Sequence, residues 1–324
     1  MRRRNRRLFL LGLAAIELVF LVGAGAIFTA GLYDRLTKVE TDCGGGYRGQ
    51  TPAEFSAPVA GGSYSMPGFG EVRFPSRDPA ITIDAWWVPG PASDAPAVVL
   101  AHGLHECKRA TTVLFPAGML HAHGFSVLMI DLRDEGSSTV DTGRFAGGVG
   151  EAQDVLGAWD WLREAQGIPA ERIGLFGVSL GAGSVLIAAG EEPRVAAVWE
   201  DSGYADLTQV LRYQVGFWMI PSFFADLALT YGRMHGQEIT SPSPGEEVRR
   251  FGSRPLAIVH GERDGSVPVQ QARMLIALDQ AAGGSPTVWF LPDTGHVGAM
   301  SSHPADYESR LVAFFSAALG RGSD

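Results

Sequence analysis

Between residues 71 and 319 short unbroken apolar runs alternate with longer helical patterns, and few architectures other than a helix-flanked parallel sheet accommodate that alternation. The runs fall at residues 97–101, 126–130, 172–176, 195–199, 256–259 and 287–291. A strand with one wet face would alternate apolar with polar residues. These do not, so they suit strands buried on both faces. Helical patterns occupy 111–123, 150–166 and 181–190, and in the second of them Val155, Trp159 and Leu162 share one face. Residues 71–75 and 81–88, each closed by Pro or Gly, read as two further strands that pair antiparallel. Strand–helix–strand units of this kind give a parallel sheet. Such sheets bind ligands beyond the carboxyl ends of their strands, which directs attention to the residues that follow each run.

The run at 173–176 is followed by Gly177-Val178-Ser179-Leu180-Gly181 and then by a helix of small residues. A serine on so sharp a strand-to-helix turn projects its hydroxyl above the sheet, and the glycines let strand and helix pass closely. A structural turn is the plain alternative, but strand, turn and helix are the context that a nucleophile elbow requires. A serine hydroxyl needs a base to take its proton. His296, between the run at 287–291 and a closing helix over 304–319, is the candidate; otherwise it is an exposed loop histidine.

The imidazole in turn needs an acceptor at its second nitrogen. Asp264, just past the run at 256–259, is preferred. Glu262 lies nearer that strand, and Asp201, after the run at 195–199, competes because either aspartate satisfies the chain order Ser, Asp, His. The oxyanion of acyl transfer would be held by the backbone N–H groups of Leu180, beside Ser179, and of Leu104, in the turn His102-Gly103-Leu104. His102, His105, His121 and His123 match no zinc spacing and read as scattered loop and helix-end residues. Chemistry of this type requires neither metal nor cofactor.

His102-Gly103, Asp131-Leu132-Arg133 with Gly136-Ser137, the pentapeptide at 177–181, Gly261-Glu262-Arg263-Asp264 with Val267-Pro268, and Gly295-His296 together resemble the α/β-hydrolase superfamily over residues 71–319. Among its branches the chain is most similar to prolyl-oligopeptidase-like and dienelactone-hydrolase-like members. The resemblance implies an α/β fold of eight mostly parallel strands with helices on both faces, and a small helical cap formed by the insertion at 204–250. The motifs specify the superfamily and no substrate.

Where relatives often read D-x-R-G-H-G-x-S, this chain has Asp131-Leu132-Arg133-Asp134-Glu135-Gly136-Ser137-Ser138, so two acidic residues replace Gly and His. Solvation of Asp134 and Glu135 is the expectation, and a role in disfavouring anionic substrates is the other reading. The insertion carries Tyr213, Phe217, Trp218, Met219, Phe223, Phe224 and Tyr231 around Pro221. Packing is the ordinary use of such aromatics. An apolar cap would favour an acyl or aromatic group, and contact with a membrane is a third reading.

Residues 8–32 form an apolar stretch long enough to cross a bilayer, interrupted only by Glu17 and preceded by Arg2, Arg3, Arg4, Arg6 and Arg7. The arginine block stays cytoplasmic by the positive-inside rule, which puts the body outside and makes the bilayer the partner of residues 8–32. Ala24-Gly25-Ala26 as a signal-peptidase site and Arg6-Arg7-Leu8-Phe9-Leu10 as a twin-arginine motif are rivals, as is a buried helix of a soluble domain. The expected organisation is a basic tip and anchor over 1–33, a Gly/Ser/Pro-rich tether over 34–70, and a catalytic domain over 71–324.

The net charge of −9 includes that arginine block, so the body is more acidic still and offers no footprint for nucleic acid. Cys43 and Cys107 build no disulfide framework or zinc cluster. Two free thiols is the expectation, and a single bridge is the alternative if the body is exported. Together these features favour a membrane-anchored serine hydrolase that cleaves an ester, thioester or amide of a small acyl substrate. A peptidase of short peptides would use the same residues. A binding protein that kept the fold and lost the chemistry is the reading from another class.

Overall fold

The computed structural model describes residues 2–43, 50–56 and 63–320, the first four of them by backbone alone. Cys43 is described, whereas Gly44-Gly45-Gly46 and Gly61-Gly62, expected to belong to the tether, lie outside the described residues. One sheet has eight strands: β1 (Gly70–Pro75), β2 (Thr82–Val88), β3 (Ala97–Ala101), β4 (Ser126–Ile130), β5 (Ile173–Val178), β6 (Ala197–Asp201), β7 (Leu256–Gly261) and β8 (Thr287–Leu291). Their spatial order is β1-β2-β4-β3-β5-β6-β7-β8. β2 runs antiparallel to both its neighbours and the remaining pairs are parallel.

The helices in chain order are α1 (Arg2–Thr37), α2 (Thr111–Ala122), α3 (Val149–Glu164), α4 (Leu180–Glu191), α5 (Leu207–Phe217), α6 (Phe223–Met234), α7 (Pro244–Val248), α8 (Gln270–Ala281), α9 (Ala299–Ser302) and α10 (Pro304–Ala318). This is the α/β-hydrolase fold, with an apolar N-terminal helix long enough to cross a membrane.

Successive side chains of a strand point to opposite faces. Ala97, Val99 and Ala101 of β3 join Ile173 and Leu175 of β5 in a core that includes Trp159 of α3 and Leu186 of α4. Val98 and Leu100, with Phe176 and Val178, enter a second core with Phe115 of α2 and Phe315 of α10. The runs are unbroken because each residue has a core to enter. Full burial of each large apolar side chain contributes roughly 1.5–3 kcal/mol, so both faces hold the sheet. β8 departs from this expectation: Thr287 and Val288 are exposed, because β8 is the edge strand and pairs only with β7.

The chain forms two compact units, Met1–Lys38 with Leu211–Glu238, and Val39–Val210 with Ile239–Asp324. The second holds the whole sheet and every candidate reactive residue. Within it Phe55 and Met66 enter the second core, so part of the stretch expected to be a loose tether is packed. Within the first unit, α1 continues through Thr37, past residue 34 where a tether was expected. Its large apolar residues are exposed up to Phe28, while Leu32, Tyr33 and Leu36 are buried, which shortens the exposed part of the stretch at 8–32.

Candidate active site

Ser179 sits between the end of β5 and the start of α4 with φ 53° and ψ −113°, a conformation that L residues rarely adopt and that costs on the order of 1–3 kcal/mol. The neighbouring glycines make the turn sterically feasible. A Cβ on Gly177 would lie 2.3 Å from the Gly181 carbonyl oxygen, and one on Gly181 would lie 2.4 Å from that of Ala101. The amide of Ser179 donates to the Asp201 carbonyl at 2.9 Å, tying the strained residue to β6.

His296, in the loop after β8, has its Nε2 2.9 Å from Ser179 Oγ and its Nδ1 2.7 Å from Asp264 Oδ2. Asp264 has a fully buried side chain, and its Oδ1 accepts the amides of Ser266 and Val267, each at 2.8 Å. A carboxylate so placed can only accept, so Nδ1 of His296 carries the ring proton and Nε2 faces the serine as an acceptor. His260 lies against the same carboxylate, with Nε2 3.5 Å from Oδ2. Its Nε2 donates to the Val267 carbonyl, and burial holds its pKa below the usual histidine value, so no rival cation competes for Asp264.

The other two carboxylates considered lie elsewhere. Glu262 faces solvent beside Arg273. Asp201 is buried and accepts the hydroxyls of Ser202 and Tyr307 at 2.9 and 3.0 Å. Burial pushes it up to about 6. Ser202 Oγ in turn accepts the Val297 amide at 3.0 Å. Asp201 therefore braces the loop that carries His296 without touching the imidazole.

Leu180 is the first residue of α4, where amides have no acceptor inside the helix. The loop of Leu104 runs alongside the serine, since a Cβ on Gly103 would lie 3.4 Å from Ser179 Cβ. Several side chains fix that loop. Leu132 donates its amide to His102 Nε2 at 3.0 Å, so Nδ1 bears the proton and donates to the Gly103 carbonyl at 2.8 Å. Burial lowers the His102 pKa and keeps the ring neutral. Glu106 accepts the Gly103 amide and the Thr112 hydroxyl. Lys108 is buried, with its ammonium between Asp84 and Asp131.

Two expectations are overturned here. Asp134 and Glu135 are buried, each about 1% exposed, instead of solvated. Asp134 Oδ1 accepts the amides of Asp141, Thr142 and Gly143 at 2.7, 2.9 and 2.7 Å, and Glu135 accepts the His105 amide. Both organise loops, and burial pushes Glu135 well above the ordinary carboxylate range. The cysteines are not free thiols: Cys43 and Cys107 form a disulfide with Cα atoms 5.2 Å apart. Folding of the preceding segment onto the body brings together two residues that sequence spacing alone left apart.

The sequence reading missed Glu106, Lys108 and Ser202. Ser202 carries a faint signal, as a hydroxyl directly after a strand-end aspartate. Lys108 carries none, because the two aspartates that bury it come from β2 and the end of β4. A separate cleft lined by Arg254, Leu256, Thr287, Arg310 and Phe314 opens at the first residues of β7 and β8, the opposite end of the strands from the reactive residues.

Residues 115–322 match the model of a family described as the prolyl oligopeptidase family. An uncharacterized protein of Escherichia coli (strain K12), YfhR, is 28% identical over 255 residues, which is 76% of this chain and 81% of YfhR. The Pyrococcus furiosus esterase Pf2001 has a similar fold, with a TM-score of 0.66 and 20% identity over 87% of this chain and 100% of that one. The acylaminoacyl peptidase of Pyrococcus horikoshii aligns with a TM-score of 0.60 and 20% identity, over 79% of this chain and 43% of that one.

Proposed function

Because the chain belongs to the prolyl oligopeptidase family, an esterase- and peptidase-type family of α/β hydrolases, we propose that it is a serine hydrolase acting through an acyl-serine intermediate. The observation that carries this reading is the continuous hydrogen-bonded line from Ser179 Oγ through His296 to Asp264. In the first half-reaction His296 Nε2 takes the Ser179 proton as Oγ attacks the scissile carbonyl. Asp264 holds the ring tautomer and offsets the imidazolium charge. The N–H groups of Leu104 and Leu180 donate to the carbonyl oxygen as negative charge grows on it. The tetrahedral species collapses, and His296 returns its proton to the departing alcohol, thiol or amine. Water, deprotonated by the same imidazole, then attacks the acyl-serine and releases the acid.

The substrate is a small carboxylic ester, thioester or amide in this reading. Hydrolysis of short peptides is the second, favoured by the family itself, since the relay is the same and only the leaving group differs. We also propose that the insertion at 204–250 acts as a cap and that α1 anchors the protein, N-terminus inside and body outside. Exposed apolar residues over 8–28 support the anchor. A disulfide suits an oxidising compartment and supports the topology.

The test is labelling of the full-length protein by a tagged fluorophosphonate. The wild type should react and Ser179→Ala should not; equal labelling of both would refute Ser179 as the nucleophile. Paired panels of p-nitrophenyl esters and aminoacyl or dipeptide anilides, run on the same preparation, would then separate esterase from peptidase by kcat/KM.

A further inference from the structure

From Tyr213 to Ala225 no residue carries a charge, although this stretch includes the end of α5, the turn after it and the start of α6. Val215 and Ala225 are buried, but the large apolar side chains at the tip point outward: Met219 is 93% exposed, Phe217 73% and Phe223 55%. A contiguous apolar patch of this kind on a helical tip marks a surface that meets something apolar.

The neighbouring helix indicates what. Phe28 of α1 and Phe224 of α6 meet edge to face at 4.9 Å between ring centres. Further along both helices, Tyr33 meets Tyr231 at 5.8 Å, and its hydroxyl donates to Gln237 at 2.7 Å. Gly232 permits this approach, since a Cβ there would lie 2.4 Å from the Tyr33 ring. The two helices therefore run in the same sense, and the start of α6 faces the exposed apolar part of α1. A helix rises about 1.5 Å per residue, so residues 8–28 span about 30 Å, one hydrocarbon thickness. That puts Phe28 at the far boundary of a bilayer crossed by α1, and Phe224 beside it.

The polar groups around the tip fit the same level. Arg35 lies over the Trp218 ring at 4.7 Å, an aromatic with a cation at the position where membrane proteins concentrate tryptophan. The first ion pair back from the tip, Arg212 with Asp226, marks where charge resumes.

We propose that the α5–α6 tip, led by Phe217, Met219 and Phe223, is a second membrane contact, seated in the headgroup–acyl boundary of the bilayer that α1 crosses. The contact is an interfacial one, a few ångströms deep, and not a second span. It rests on the anchor reading above and is independent of the hydrolytic one.

The test uses the full-length protein in phosphatidylcholine–phosphatidylglycerol vesicles. Single cysteines replace Met219, Val19 and the exposed Glu171 in turn, with Phe223→Cys as a second tip site, and each is labelled with an environment-sensitive fluorophore. The native cysteines are paired and do not compete. The label at 219 should shift to the blue and lose intensity to phospholipids spin-labelled near the carbonyl. The label at 19 should be quenched by deeper spin labels, and that at 171 by neither. A quenched 19 with 219 as wet as 171 overturns the tip contact and leaves the anchor standing. A wet 19 overturns both. A label at 219 that shifts to the blue without lipid quenching means that protein, a second copy or a partner, covers the tip, and the proposal fails.

Discussion

The Ser202 hydroxyl accepts the backbone amide of Val297 at 3.0 Å, so the residue after Asp201 holds the residue after His296. Both ends of that bond are unusual: Ser202 has φ 59° and Val297 has φ 49°, a region that a β-branched residue resists. Without the hydroxyl, Val297 has reason to relax and carry the imidazole away from Ser179. Ser202→Ala should therefore lower kcat for p-nitrophenyl butyrate by roughly tenfold, the equivalent of one buried hydrogen bond. KM should change little, and Ser202→Thr should recover part of the loss. A variant that loses thermal stability but keeps its kcat would assign Ser202 to the scaffold alone.

The two aspartates that the sequence left in competition make opposite predictions. Asp264 bonds the imidazole directly at 2.7 Å, whereas Asp201 bonds only Ser202 and Tyr307. An amide at 264 can no longer hold the productive tautomer, and in the serine-protease template that change costs on the order of 10⁴ in kcat. Asp264→Asn should show a loss of that size, with reaction toward fluorophosphonate correspondingly slow. Asp201→Asn preserves shape and should cost less than about tenfold, in line with the loss of a bracing hydrogen bond. The reverse ranking would exchange the two roles.

The strand ends were legible because a buried strand and a strained turn leave local marks. Unbroken apolar runs located β3 to β7, and Gly177 and Gly181 located the turn at Ser179. What escaped the sequence depends on partners distant along the chain. Asp134 and Glu135 read as solvated acids until the amides of 141–143 and of His105 are seen to close on them. Lys108 is buried because β2 and the end of β4 each bring an aspartate to it, a coincidence of topology that no local pattern encodes. The exposure of β8 likewise follows from its place at the edge, since its composition matches that of the inner strands.

The Cys43–Cys107 bridge closes 64 residues of chain and ends in the loop that carries Leu104. By the chain-entropy argument a closure of that length contributes about 4 kcal/mol. For a domain of this size, reduction or Cys43→Ser should lower Tm by on the order of 10 °C. A looser loop should also lower kcat in the Cys43→Ser protein at temperatures where it remains folded. Alkylation of both cysteines without prior reduction would show that the bridge does not form and would remove the basis for either effect.

Glu200 is fully buried in β6, donates nothing as a carboxylate, and accepts one amide, that of Gly203 at 2.8 Å. Its second oxygen has no hydrogen-bond partner among the described residues. Burial therefore pushes its pKa from 4.5 up to about 8. Below pH 4.5 the folded and unfolded chains both keep the proton. Between 4.5 and 8 the unfolded chain releases it and the folded chain does not, so stability falls by about 1.4 kcal/mol per pH unit across that window. Above pH 8 both states are ionised and the loss, ~5 kcal/mol at most, is complete. Glu151 and Asp201, pushed by burial up to about 7 and about 6, add to the same trend. Glu200→Gln removes the ionisation and keeps an acceptor for Gly203. Its Tm should match the wild type near pH 4.5 and exceed it by several degrees at pH 8.5. Thermal melts of the two proteins across that range would check the sign, and a variant less stable at pH 8.5 than at pH 4.5 relative to wild type would mean that Glu200 folds as the charged form.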